Sequence, residues 1–174
     1  MVDIDIDDLN KKIKNLNNDF KSLKGFAIIA ENLVFKIYDI FGRNALLSML
    51  YQIGKGTGEI ISKRIKEKYG KEEFEIEEAF QILLDELKDY YSVQIRDIEM
   101  SKDKIRIIIE NRCFLREPIK DRERLEYGKA FCRINKGYFE GAFTDLTKIK
   151  KVDINFIKSD EQKDVCIEEL IFYL

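Results

Sequence analysis

The sequence predicts an α+β fold: N-terminal helices, then an antiparallel sheet of about four strands with a glycine-bearing helix between its two hairpins. Three observations predict it. Apolar residues recur every three to four positions from residue 6 to residue 89. They then alternate every second position in 92–110 and again in 151–173. Between these stretches, residues 125–146 return to helical spacing around Gly137 and Gly141.

Taken in order, Ile6, Leu9, Ile13, Leu16, Phe20 and Leu23 mark an amphipathic helix over 6–23. Its narrow seam suits either a dimerisation arm or a helix laid on its own domain. The chain therefore divides into an arm (1–24) and a domain (25–174). Residues 31–41 (ENLVFKIYDIF) predict a second helix, interrupted by Gly42. A longer helix over 43–69 carries Leu46, Leu50, Ile53, Ile61 and Ile65 on one stripe, and Gly70 supplies its stop. Ile76, Phe80, Leu83 and Leu87 mark a helix over 75–89.

Val93 and Ile95 open a strand, residues 101–103 (SKD) make a turn, and Ile105, Ile107 and Ile109 alternate beyond it. Residues 92–100 and 104–110 thus read as a hairpin. The charged stretch 111–124, with Pro118, reads as a surface loop laced by Arg112, Arg116, Arg122 and Arg124 with neighbouring acids. After the helix over 125–146, strands over 151–158 and 164–173 flank the polar turn SDEQK.

A chain of 174 residues is one domain's worth and can bury a real core. Its net charge of −2, with both signs interspersed, gives no general attraction to nucleic acid. No apolar run is long enough for a membrane span, and no secretory leader is visible at Met1. A cytoplasmic protein is the expectation. One proline among many Lys, Glu and Ile residues suggests heat adaptation. The absence of histidine excludes Ser-His-Asp and Cys-His nucleophiles and HExxH zinc sites. Cys113, Cys132 and Cys166 read first as buried free thiols.

Two motifs carry the functional reading. YQIGKGTGEII (51–61) places Gly54 and Gly58 four apart on one helix face, although glycine inside a helix costs about 1 kcal/mol against alanine. They let another backbone, or a ligand, approach closely. The string is no phosphate loop, because Lys55 precedes Gly56-Thr57 instead of following a glycine before Ser/Thr. Gly137 and Gly141 repeat the device, with Phe131, Ile134, Tyr138, Phe139 and Phe143 around them. Such an aromatic set lines an apolar cavity or fills an ordinary core. Carboxylate pairs, Glu168/Glu169 among them, read as solvated faces. No GxGxxG dinucleotide fingerprint is present.

Three segments together resemble the four-vinyl reductase domain family. They are GRNALLSMLYQIGKGTGEIISKRI (42–65), CRINKGYFEGAF (132–143) and DVCIEELIF (164–172). The resemblance implies a fold similar to vesicle-tethering TRAPP subunits and haem-NO-binding domains. It also implies an apolar pocket between helices and sheet, often in a dimer. Zinc-containing members of the family set a Cys on the glycine helix, an acidic residue, a Cys three positions on and a final Cys eight beyond. At that register this chain has Cys132, Asn155, Lys158 and Cys166, so the resemblance implies a degraded site without tight zinc.

The resulting expectation is a non-enzymatic domain, without cofactor, that binds a small hydrophobic molecule as a homodimer. Its lining candidates are Tyr51, Gly54, Gly58, Phe131, Gly137, Tyr138, Gly141 and Phe143. An assembly module and a reductase are the alternatives.

Overall fold

The computed structural model describes residues 22–116 and 130–174. Its elements are α1 (Ser22–Tyr69), α2 (Ile76–Leu87), β1 (Tyr91–Met100), β2 (Lys104–Cys113), α3 (Cys132–Leu146), β3 (Lys151–Asp160) and β4 (Val165–Tyr173). This is the α+β order read from the sequence. Residues 1–21 of the expected arm, and Pro118, Arg122, Arg124 and 125–129, lie outside the described residues.

α1 is two helical pieces joined at Gly42, whose φ of 78° and ψ of 174° are not helical. A side chain there would meet nothing within 4 Å. Conformation, not space, therefore keeps the position glycine, since this backbone region is almost glycine-only. The first piece starts at Ser22, earlier than the expected start at 31, and runs through the expected division at 24/25.

The four strands form one antiparallel sheet in the order β1-β2-β4-β3. Both hairpins close as the alternation predicts, and the central pairing joins β2 to β4, from Lys104 opposite Tyr173 to Asn111 opposite Cys166. Each outer strand carries an irregularity, at Ile95/Asp97 in β1 and at Phe156/Lys158 in β3. One extra residue there bends the strand and shifts which side chains face inward.

α3 lies between α1 and the sheet. Gly137 and Gly141 face α1. Phe139 and Phe143 face the other way, into a core with Leu83, Tyr91, Ile107, Ile109, Leu170 and Phe172. A second, smaller cluster gathers Val34, Leu46, Leu50, Leu115, Ala130 and Phe131.

Polar contacts fix α3 at both margins. The Ser62 hydroxyl on α1 donates to the Asp145 carboxylate, which Lys66 also reaches at 3.3 Å. Toward the sheet, Glu140 takes Lys136 Nζ at 2.5 Å and the backbone N–H of Ile154 at 2.8 Å. Lys136 Nζ also donates to the Ile154 carbonyl at 2.7 Å. The two side chains thus occupy both backbone groups of one residue on the outer strand β3.

Candidate functional site

The four glycines singled out in the sequence come together in one seam. A Cβ on Gly54 would sit closer than 3.0 Å to the Ile134 backbone, and one on Gly58 equally close to Tyr138 and Ala142. A Cβ on Gly137 would collide with Tyr51 and Lys55, and one on Gly141 with Lys55. Of the two readings open at the sequence level, backbone or ligand, the structure puts a backbone at each glycine. Close contact of α1 with α3 is what the missing side chains permit.

The aromatic candidates sit nearby but apart from one another. Phe143 is fully buried, stacked on Phe80 at 5.5 Å and edge-on to Phe172 at 5.3 Å. Tyr138 stacks on Tyr91 at 6.0 Å, and Phe131 belongs to the second cluster. Tyr51 borders a broad groove of 1060 Å³ between α1, α3 and β3, as does Gly141. Lys55, Glu59, Lys66, Asp145 and Asp153 line it too, so it is charged, not apolar. Burial, then the bond to Glu140, pushes the Tyr51 hydroxyl up to about 12.

The inward face of the sheet changes character along its length. On β4 it runs Phe172, Leu170, Glu168, Cys166, and on β2 it runs Ile107, Ile109, Asn111, Cys113. One end of the core is therefore polar. Glu168 is 5% exposed there, although the sequence reading took it for a solvated face. Alternation through strand β4 carries it inward with Leu170 and Phe172 and turns Glu169 outward to Arg106. Asn111 Nδ2 donates to Glu168 Oε2 at 2.7 Å, and Asn135 Nδ2 on α3 approaches Oε1 at 3.3 Å.

Arg116 also departs from its surface reading. It is 4% exposed, pairs with Asp164 at 3.0 Å, and its Nη1 lies 3.1 Å from Cys166 Sγ. Glu110, on β2 beside Arg96, is likewise buried. Burial raises the Cys166 thiol despite that neighbour, and lifts the Cys113 thiol to about 12. Both are thiols, not thiolates, at neutral pH, and so weak nucleophiles.

Among the described residues, three buried side-chain atoms have no hydrogen-bond partner: Asn111 Oδ1, Asn135 Oδ1 and Ser159 Oγ. All three belong to this polar end, Ser159 by its register opposite Cys166. A cavity of 240 Å³ is lined by Cys132, Arg133, Lys136, Ile154, Asn155, Phe156 and Glu168, the last of which is held by Asn111 and Asn135. It joins a carboxyl floor to walls that are partly apolar.

The positions compared with zinc ligands separate. Cys132 lines the cavity and Cys166 faces inward. Asn155 also borders the cavity, but its side chain reaches Glu169 at 3.4 Å on the outer face, and Lys158 is exposed opposite Ile167. The residues opposite Glu168 and Cys166 are Phe156 and Ser159. Among the described residues, no three Cys, Asp or Glu side chains gather where they could hold a metal ion. Nor is any helix among them long and apolar enough to cross a membrane.

Burial raises the Glu168 pKa above the usual 4.5, outweighing the two asparagine donors that lower it. The folded protein thus holds the proton more tightly than the unfolded chain. Stability contributed by this group is complete below about 4.5 and is lost as pH rises through the folded value. Glu168→Gln removes that loss. The variant should melt above wild type at pH 8, with the gap closing as pH falls below about 5. Thermal unfolding across pH 4–8 checks this, and a gap independent of pH contradicts it.

No protein-family model matches the chain, and no curated protein sequence matches it. Solved structures do. The phenol-responsive sensory domain of the transcription activator PoxR, with phenol, superimposes with a TM-score of 0.53 at 12% identity, covering 84% of this chain and 74% of that one. Trafficking protein particle complex subunit 3 from Naegleria fowleri, covalently bound to palmitic acid, gives a TM-score of 0.52 at 17% identity, covering 86% and 93%. The chain therefore shares the fold of a sensory domain and of a tethering-complex subunit.

Proposed function

We propose that this chain is a small-molecule-binding domain of the four-vinyl reductase type, non-enzymatic and active as a homodimer. The observation that carries the reading is a cavity whose lining includes a buried carboxyl group, Glu168, held by Asn111 and Asn135, which carry two of the unpartnered buried polar atoms among the described residues. Native proteins leave such atoms unpaired only rarely, and an apolar pocket with a few convergent polar groups is the usual form of a ligand site. The ligand position is the cavity over Glu168. The glycine seam and the rings of Phe131, Tyr138 and Phe143 act behind it, by holding α1, α3 and the sheet in place. The structural kinship with a phenol-responsive domain and a palmitate-bound subunit supports small-molecule capture on this fold.

The dimer reading is supported by the outward face of α1. Phe26, Ile29, Leu33 and Ile40 stand 72%, 66%, 57% and 68% exposed at helical spacing. Contiguous apolar surface of this kind marks an interaction site. The same surface favours the second reading, an assembly module related to the tethering subunit. Native mass spectrometry of freshly purified protein tests both. A dimer carrying a small molecule that is released on activation supports the first. A ligand-free dimer points to the assembly module, and a ligand-free monomer at micromolar concentration overturns both.

A further inference from the structure

We infer that the cavity over Glu168 selects a neutral, ring-sized molecule bearing a hydroxyl or carboxamide group, with Glu168 Oε1 as its hydrogen-bond partner. This rests on the small-molecule reading above and adds the chemistry of the ligand.

Size comes first. An engineered apolar cavity of about 150 Å³ holds benzene, so 240 Å³ has room for one substituted ring. Cys132, Ile154 and Phe156 give the ring its apolar walls.

The floor sets the polar requirement. Glu168 Oε2 is well satisfied by Asn111 Nδ2 at 2.7 Å. Oε1 takes one longer bond, from Asn135 Nδ2 at 3.3 Å, and has room to accept a second. The same glutamate lines the cavity. Behind it, outside the lining, Asn111 Oδ1 and Asn135 Oδ1 have no hydrogen-bond partner. A group that both gives and takes a hydrogen bond can pair with Oε1 whether Glu168 is protonated or not. A pure hydrocarbon shields Oε1 from water and leaves it with that one long bond, which is costly in a buried site.

A carboxylate ligand fails for a different reason. It would place a second acid against Glu168, and two carboxyls sharing one site cannot both ionise. Lys136 does not offset this, because Glu140 and the Ile154 carbonyl already engage its ammonium. Arg133 is partly exposed, where water weakens its pull.

Calorimetric titration of the wild-type protein with benzyl alcohol, benzamide, toluene, benzyl methyl ether and benzoate tests the inference. Benzyl alcohol and benzamide should bind at least about 10-fold more tightly than the other three. In Glu168→Leu, shown to be folded by its thermal transition, benzyl alcohol should bind no better than toluene. Equal binding of toluene or the ether by wild type overturns the polar requirement and leaves the cavity reading standing. Tightest binding by benzoate overturns the demand for a neutral ligand. Binding by none of the five overturns both the inference and the ligand reading at this cavity.

Discussion

Alanine at Phe143 should cost this protein about 3–5 kcal/mol, the usual range for removing a fully buried ring. The ring is wholly inaccessible and lies among Phe80, Phe139 and Phe172, with centroids 5.5, 6.1 and 5.3 Å away. Those neighbours belong to α2, to α3 itself and to β4, so no single element can slide in to refill the space. A close-packed interior relaxes only in part, and the remaining void adds to the lost transfer energy. Phe156→Ala is the contrast. That ring stands 37% exposed at the cavity wall, and its removal should cost about 1 kcal/mol or less. Urea unfolding of the two variants measures the difference. A loss below about 1 kcal/mol at Phe143 would mean that its ring borders an open space and does not fill a core.

The second large effect is expected at the glycine seam. Gly137→Ala puts a methyl group closer than 3.0 Å to backbone atoms of both Tyr51 and Lys55. Backbone cannot rotate away as a side chain can, so α1 and α3 must separate. Overpacking of this kind costs about 1–3 kcal/mol, and the gain in helix propensity returns up to about 1 kcal/mol. A net loss near 2 kcal/mol corresponds to a fall in Tm of roughly 4–8 °C for a chain of this size. Gly54→Ala should behave alike. The pair together should cost less than the sum, because one separation of the helices relieves both. Gly56→Ala supplies the control on the same helix. Its methyl would meet nothing within 4 Å, so it should stabilise by about 0.5–1 kcal/mol. Scanning calorimetry of the three single variants checks the pattern, and a stabilising Gly137→Ala would contradict the seam.

Much of the fold was legible because period alone encodes it. The alternation of Ile105, Ile107 and Ile109 and the three-to-four spacing around Phe80 each yield the right element within a few residues. What period does not encode is partner choice. That β2 pairs with β4, and that Gly54 and Gly58 meet the backbone of α3 while Gly137 and Gly141 meet that of α1, depends on contacts between distant segments. The start of α1 was missed because Gly25 and Lys24 break the apolar stripe locally, while the helix there packs through Ala30 and Val34.

The candidate site was the least legible part. Glu168 and Glu169 are chemically identical neighbours, and only their parity in the strand sends one inward. The signal was present, since Cys166, Leu170 and Phe172 share the parity of Glu168. The same one-residue logic separates Asn155 and Lys158 from Cys166. The irregularity at Phe156/Lys158 brings Ser159, not Lys158, opposite that cysteine.

The capping of Ile154 by Lys136 and Glu140 has a bearing on how copies of this protein meet. A free strand margin invites other chains to add to it, and proteins commonly blunt such margins. Here a helix performs the blunting with one cation and one anion, each spent on the same residue's main chain. Edge-to-edge addition of another strand at that point of β3 is thereby blocked.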